Sequence, residues 1–282
     1  MPGSTKKTDL PQSVCELDAC LAQQRKALFA GFKVFALNDM HPNRSEVCNI
    51  KVDINAFLAL LKKFSANAKY NGVRIYFATC LDTVGSPSVP GGQEGHLSLI
   101  MAPTTQHSSS DPLGGDDDPH EYYHLFKACT KLTDLKTKTN WLQHYSFNRR
   151  PNLIDHVRAI TRSQDSSETS CLWYPMAIIG GDGTDKGMIG VIADALADTS
   201  NPVTGFTVEF GCFVKAEEIP DTYPYYQLTL LFEIHQKNDE SKMKKTTFLG
   251  SKRVKLLGLG DTDTGIPCPP SNTCPPPGGT LN

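Results

Sequence analysis

Apolar positions along this chain follow a pattern that occurs twice. Around Gly72 the sequence reads G-V-R-I-Y-F, and around Gly205 it reads G-F-T-V-E-F. Each run is followed by a second one, H-L-S-L-I-M from His96 and Q-L-T-L-L-F from Gln227. Each is preceded by a helix-like stretch, Asp53 to Phe64 and Lys186 to Ala197. Behind Asp53 as N-cap, Phe57, Leu60, Leu61 and Phe64 fall at i, i+3, i+4 and i+7, the spacing of an amphipathic helix. Val73, Ile75 and Phe77 then alternate with Arg74 and Tyr76, as a half-buried strand requires. In the second copy Leu228, Leu230, Phe232 and Ile234 alternate with Thr229, Leu231, Glu233 and His235. The pattern predicts an α+β fold: two related helix–strand–strand units forming mixed or antiparallel sheets, with a helical insertion between them.

Punctuation between these runs divides the chain. Residues 1–105 hold the first unit, with an N-terminal helix expected over Ser13 to Phe29 and a short strand over Phe32 to Ala36. Residues 106–119, Q-H-S-S-S-D-P-L-G-G-D-D-D-P, read as an acidic linker. Residues 120–170 form the helical insertion, with helices expected from His120 to about Leu132, near Trp141, and from Pro151 to Arg162. Residues 171–260 hold the second unit, and 261–282 are a Pro/Cys-rich tail that cannot be helix or central strand.

Composition narrows the classes. Hydrophobic content of 39% and charged content of 21% fit a soluble globular protein. A net charge of −2 gives no electrostatic case for nucleic acid or an anionic membrane. No run approaches the roughly 18–20 apolar residues of a membrane span, and the N-terminus lacks the apolar core of a signal peptide. The nine cysteines have no regular spacing. Cys48, Cys80, Cys129, Cys171 and Cys212 sit in or beside apolar runs and are expected to be buried thiols in a reducing cytoplasm.

Two motifs offer chemistry. His120-Glu121-Tyr122-Tyr123-His124 matches HExxH, in which a helix places both imidazoles on one zinc ion and the Glu acts as general base on bound water. The Asp116-Asp117-Asp118-Pro119 run before it puts His120 beside a loop rather than inside a helix. The metzincin Gly and His are also absent after His124, leaving His144, Asp155, His156 and Glu168 as candidate third ligands. The expected structure there is a helix start. The second motif is Gly180-Gly181-Asp182-Gly183-Thr184. It resembles the G-G-D-G-T signature of diacylglycerol and NAD kinases, where a strand enters a glycine turn whose N–H groups bind phosphate. The expected structure here is a helix entry with Asp182 or Asp185 as cap. Asp116, Asp117 and Asp118 lack calcium-loop spacing and read as a solvated linker.

The segment D-I-N-A-F-L-A-L-L, then N-G-V-R-I-Y-F-A, then H-L-S-L-I-M-A-P-T covers residues 53–105. It resembles a family of small uncharacterised bacterial proteins with a G-[IV]-R-[IV]-Y-F strand followed by an apolar strand ending in A-P-T or V-P-T. No activity comes with that resemblance. Thr207 and Glu209 replace Arg74 and Tyr76 in the second copy, so a ligand of the first face is not expected on the second. The expected role is a non-catalytic cytoplasmic binding or assembly protein that self-associates or binds a protein partner. No resident cofactor or metal is expected. The alternatives are a zinc-dependent hydrolase through His120, Glu121 and His124, and a nucleotide- or phosphate-binding protein through Gly181, Asp182, Gly183 and Thr184.

Overall fold

The computed structural model describes residues 14–16, 19–39, 46–81, 95–105, 115–161, 168–181, 183, 186–212, 227–237, 246–250 and 266–267. Strand β1 (Val14–Glu16) leads into helix α1 (Ala19–Leu28), a π-helical turn (Phe29–Lys33) and helix α2 (Val34–Asp39). Then come β2 (Asn49–Lys51), α3 (Ile54–Ser65) and the hairpin β3 (Tyr70–Thr79) with β4 (Leu97–Thr105). Short strands β5 (Asp116–Asp117), β6 (Tyr123–His124) and β7 (Thr130–Lys131) follow. Helix α4 (Leu135–His144), a second π-helical turn (Tyr145–Arg149) and α5 (Arg150–Thr161) lead to β8 (Cys171–Pro175). Two helices, α6 (Met176–Gly180) and α7 (Gly187–Ala197), precede the hairpin β9 (Val203–Cys212) with β10 (Leu228–Gln236). Strands β11 (Thr246–Gly250) and β12 (Ile266–Pro267) come last.

The fold is α+β with antiparallel sheets, as the alternation predicts. One sheet runs β1-β11-β10-β9-β2, the other β12-β8-β3-β4-β6-β7, with β5 also on β4. Their inner faces meet: the Phe77 and Phe210 rings lie 6.3 Å apart, and those of Tyr174 and Phe232 5.9 Å. Helix α3 is capped by Asp53, whose side chain accepts from Ala56 N–H. It drives Phe57 against Phe206 and Phe232, at 5.1 and 5.9 Å. Both units therefore share one hydrophobic core.

Several expectations give way. The helix expected from His120 to about Leu132 is absent, replaced by β6 and β7 on the edge of the β4 sheet. The acidic stretch ends in β5, paired Thr104↔Asp117 and Thr105↔Asp116; Asp116 stays exposed, whereas the side chains of Asp117 and Asp118 are buried. Phe32–Ala36 is helical because the π-turn continues α1 into α2. Met176–Gly180, an apolar run suited to a strand, is a short helix. The strand around Arg74 is buried on both faces, not one, because α4 packs on its outer side.

Pairing between the units is crossed. Strand β2 of the first unit pairs with β9 of the second through Ile50↔Val208, while β8, which opens the second unit, pairs with β3 of the first through Leu172↔Ile75. The two hairpins keep equivalent registers, with Gly72↔Thr104 and Ile75↔Met101 in one, Gly205↔His235 and Val208↔Phe232 in the other. Helix α1 packs on β9 and α4 on β3. Both π-turns start with a fully buried ring, Phe29 or Tyr145, and end with a buried cation, Lys33 or Arg149. Lys33 pairs with Glu168, and Arg149 Nη1 lies 2.5 Å from Glu46. Each glutamate lies four positions before its paired strand residue, Ile50 or Leu172. Each also accepts the N–H opening the other hairpin strand: Glu46 from Leu97 at 2.9 Å, Glu168 from Leu228 at 2.6 Å. Burial alone would raise the Glu46 carboxyl, but the His96 hydrogen bond, Arg149 and the Leu97 N–H together hold it below its ordinary value.

Candidate functional site

The HEYYH residues are drawn apart by an extended backbone. A strand rises about 3.3 Å per residue against about 1.5 Å in a helix, so i and i+4 no longer converge on one ion. His120 is exposed at a turn, its N–H donating to Asp118 Oδ1 at 3.0 Å. Glu121 is held by Lys63, by Tyr123 Oη at 2.5 Å and by Lys131 Nζ at 3.0 Å. Burial would raise that carboxyl; Lys63, Tyr123 and Lys131 bring it down to about 2. His124 is buried under α4, 2.7 Å from Ser98 Oγ and edge-on to Trp141. Burial lowers its ring to about 4, so it is neutral at pH 7. The residues considered as third ligands are dispersed: Asp155 meets Arg158, the His156 ring lies 6.2 Å from Phe35, and Glu168 meets Lys33.

The glycine motif connects two helices instead of following a strand. Asp182, Thr184 and Asp185 lie outside the described residues. Gly181 and Gly183 have φ of 84° and 91°. Gly187, with φ 60°, opens α7, and a Cβ there would lie 2.3 Å from Gly181 N. These glycines therefore serve a loop that folds back on itself.

On the outer face of the β3/β4 sheet, Arg74 and Tyr76 carry a buried polar network, in which Arg74 Nε has no hydrogen-bond partner among the described residues. Arg74 Nη1 lies 2.5 Å from Asp117 Oδ1, and Nη2 donates to Gly115 O at 3.0 Å. The hydroxyls of Tyr76 and Tyr122 donate to Asp117 Oδ2 at 2.7 and 2.9 Å. Lys138 of α4 lies 3.8 Å over the Tyr122 ring. Asp118 binds Lys69 and Tyr70, each at 2.7 Å. Burial alone would raise its carboxyl, but Lys69, Tyr70 and the His120 N–H bring it to about 2. Two of the three aspartates read as solvated linker, Asp117 and Asp118, thus anchor this face, while Asp116 remains exposed.

The equivalent face of the other sheet differs. Here β9 and β10 present Thr207, Glu209, Glu233 and His235, with Lys26 arriving from α1 and Asn49 from β2. Among the described residues, these strands hold the one group of metal-capable donors that converges: an atom each from Glu209, Glu233 and His235, all within 4.8 Å of one another. Lys26 Nζ lies 2.6 Å from Glu233 Oε1, and Thr207 Oγ1 lies 2.8 Å from His235 Nε2. Burial, opposed by the Thr207 hydroxyl and reinforced by the Glu233 charge, raises the Glu209 carboxyl. The sequence alone places Glu209 where the first copy has Tyr76; Glu233 and His235 join it only through the strand register. The available signal was a pair of acids interrupting two apolar strands of one hairpin.

No family model, curated protein or solved structure matches this chain. Among the described residues, no helix is long and apolar enough to cross a membrane.

Proposed function

We propose that this chain is a non-catalytic binding or assembly protein, built by duplication of one unit into two halves that complete each other's sheets. Crossed pairing is the observation that supports it. Strand β2 closes the sheet of the second half, β8 closes that of the first, and Lys33–Glu168 and Arg149–Glu46 fasten the exchange. Two copies of a single unit that swap elements would be joined in this way. The acid of the protease-like motif works in the same fabric, with Glu121 tying α3 to β7 through Lys63 and Lys131. A cytoplasmic setting and association through protein surfaces belong to this proposal.

Native mass measurement of the full-length protein across a concentration series tests it, beside a peptidase assay with added zinc. A defined oligomer without peptide cleavage is expected. A monomer at every concentration would count against assembly. Zinc-dependent cleavage lost in Glu121→Gln would overturn the non-catalytic assignment.

A further inference from the structure

A buried carboxylate needs a partner, and Glu209 has an incomplete one. It is 8% exposed, and among the described residues no lysine or arginine lies within ion-pair distance of it. Its polar neighbours are the Asn49 amide, at 3.4 Å, and the Thr207 hydroxyl. Glu233, 1% exposed, shares the same nest. Buried charges in proteins are paired or coordinate metals, because an isolated one pays a large desolvation penalty. The register explains the convergence. Thr207 stands opposite Glu233 and Gly205 opposite His235, so Glu209, Glu233 and His235 leave the same sheet face on adjacent strands. The imidazole lies over Gly205, with its Cδ2 3.6 Å from where a Cβ would stand, an ordinary contact distance.

The other half sharpens the contrast. Positions equivalent to Thr207, Glu209, Glu233 and His235 hold Arg74, Tyr76, Ala102 and Thr104. There the buried acid, Asp117, is met by the protein's own cation, Arg74. On the second face Lys26 reaches Glu233 but makes no ion pair with Glu209. We propose that Glu209, Glu233 and His235 bind a divalent transition-metal cation of the zinc type. Two carboxylates and an imidazole are an oxygen/nitrogen donor set for such an ion. Thr207 steers the His235 ring, as an outer partner does for a metal-bound imidazole. Lys26 is then a competitor: its ammonium occupies Glu233 Oε1 and is displaced or shared when the cation enters. The proposal stands apart from assembly; a protein that assembles without metal, or binds metal as a monomer, would separate the two.

The test is calorimetric titration of metal-free full-length protein with zinc chloride, repeated with manganese chloride, alongside melting curves. About one zinc per chain and a rise in Tm are expected. Glu209→Gln and His235→Gln should each weaken zinc at least about tenfold. Lys26→Met should strengthen it, which a purely structural cluster would not do. His120→Ala, as a control on the other histidine motif, should leave the titration unchanged. No zinc uptake would overturn the site, and so would uptake undiminished in both Glu209→Gln and His235→Gln, which would mark an adventitious ion only. Two variants guard against one failing to fold, with circular dichroism as the check.

Discussion

The two sheets present the same scaffold with different chemistry on their outer faces. On the β3/β4 face a guanidinium, two phenols and an aspartate close on one another beneath α4. On the β9/β10 face two glutamates and an imidazole converge beneath α1, with one ammonium among them. The backbone registers are equivalent, so strand geometry does not cause the difference. It lies in a few outward side chains, above all Arg74 against Thr207 and Ala102 against Glu233. Equivalent positions in two hairpins of matching register thus carry a cation-paired polar cluster on one face and two acids with an imidazole on the other, while the inward residues stay apolar in both.

The strongest way to break the comparison is to cut its fastenings. Lys33→Met leaves Glu168 buried without its cation, and Arg149→Met does the same to Glu46. Losing one partner of a buried pair typically costs about 3–5 kcal/mol. Urea unfolding should show losses of that order for both variants. If one were neutral, the two π-turn cations would not play equivalent parts.

A smaller but more discriminating test uses the paired glycines. A Cβ on Gly72 would fall 2.4 Å from Trp173 Nε1, whereas one on Gly205 would meet nothing closer than His235 Cδ2 at 3.6 Å. The Trp173 indole lies over Gly72 because its N–H donates to Thr104 Oγ1 at 2.9 Å. Gly72→Ala should therefore cost about 1–3 kcal/mol through overpacking. Gly205→Ala should stay within about 0.5 kcal/mol. Equal costs in unfolding experiments would mean that the indole moves aside freely.

These pairs also mark what the sequence could and could not disclose. The hairpins, α3 and α7 were legible, because Val73, Ile75 and Phe77 or Leu228, Leu230 and Phe232 carry their period openly. The crossing was not, since β2 and β8 are short and nothing local to Ile50 or Leu172 names a partner far along the chain. HEYYH was misplaced for a related reason. Tyr123 and His124 have no strand period of their own, and the pairing of His124 with Ile100 decides their conformation. Arg74 looked like a solvent-facing residue of a half-buried strand; the helix that covers it comes some sixty residues later. The converging donors were hidden because Glu209 and His235 belong to different strands and meet only through register.

Acid should next distinguish the faces. Asp118 and Glu121, both drawn down to about 2, stabilise the fold above their ordinary carboxyl values of 3.8 and 4.5. That contribution is present at neutral pH and is lost as pH falls from about 4 through about 2. Asp118→Asn should lower stability at pH 7 and flatten the acid limb of a stability–pH curve. An unchanged limb would mean that the Lys69 and Tyr70 contacts leave no net preference for the charged form.

The smallest expected effect is at Phe147, in the second π-turn. By position in the turn, Phe147 corresponds to Gly31, and Tyr145 to Phe29. Tyr145 is fully buried, lies tilted against Phe77 with ring centres 5.9 Å apart, and donates to Thr169 O at 2.7 Å. Phe147 is 71% exposed, so its ring gains little from the core. Tyr145→Ala should cost about 3–5 kcal/mol, as for large rings removed from cores, whereas Phe147→Ser should shift stability by no more than about 0.5 kcal/mol. Gly31, exposed with nothing within 4 Å of where a Cβ would stand, shows that the first turn forms without a ring at that place. A large loss for Phe147→Ser would mean that the two turns are held differently, and the likeness between the halves would then stop at the sheets and the crossed ion pairs.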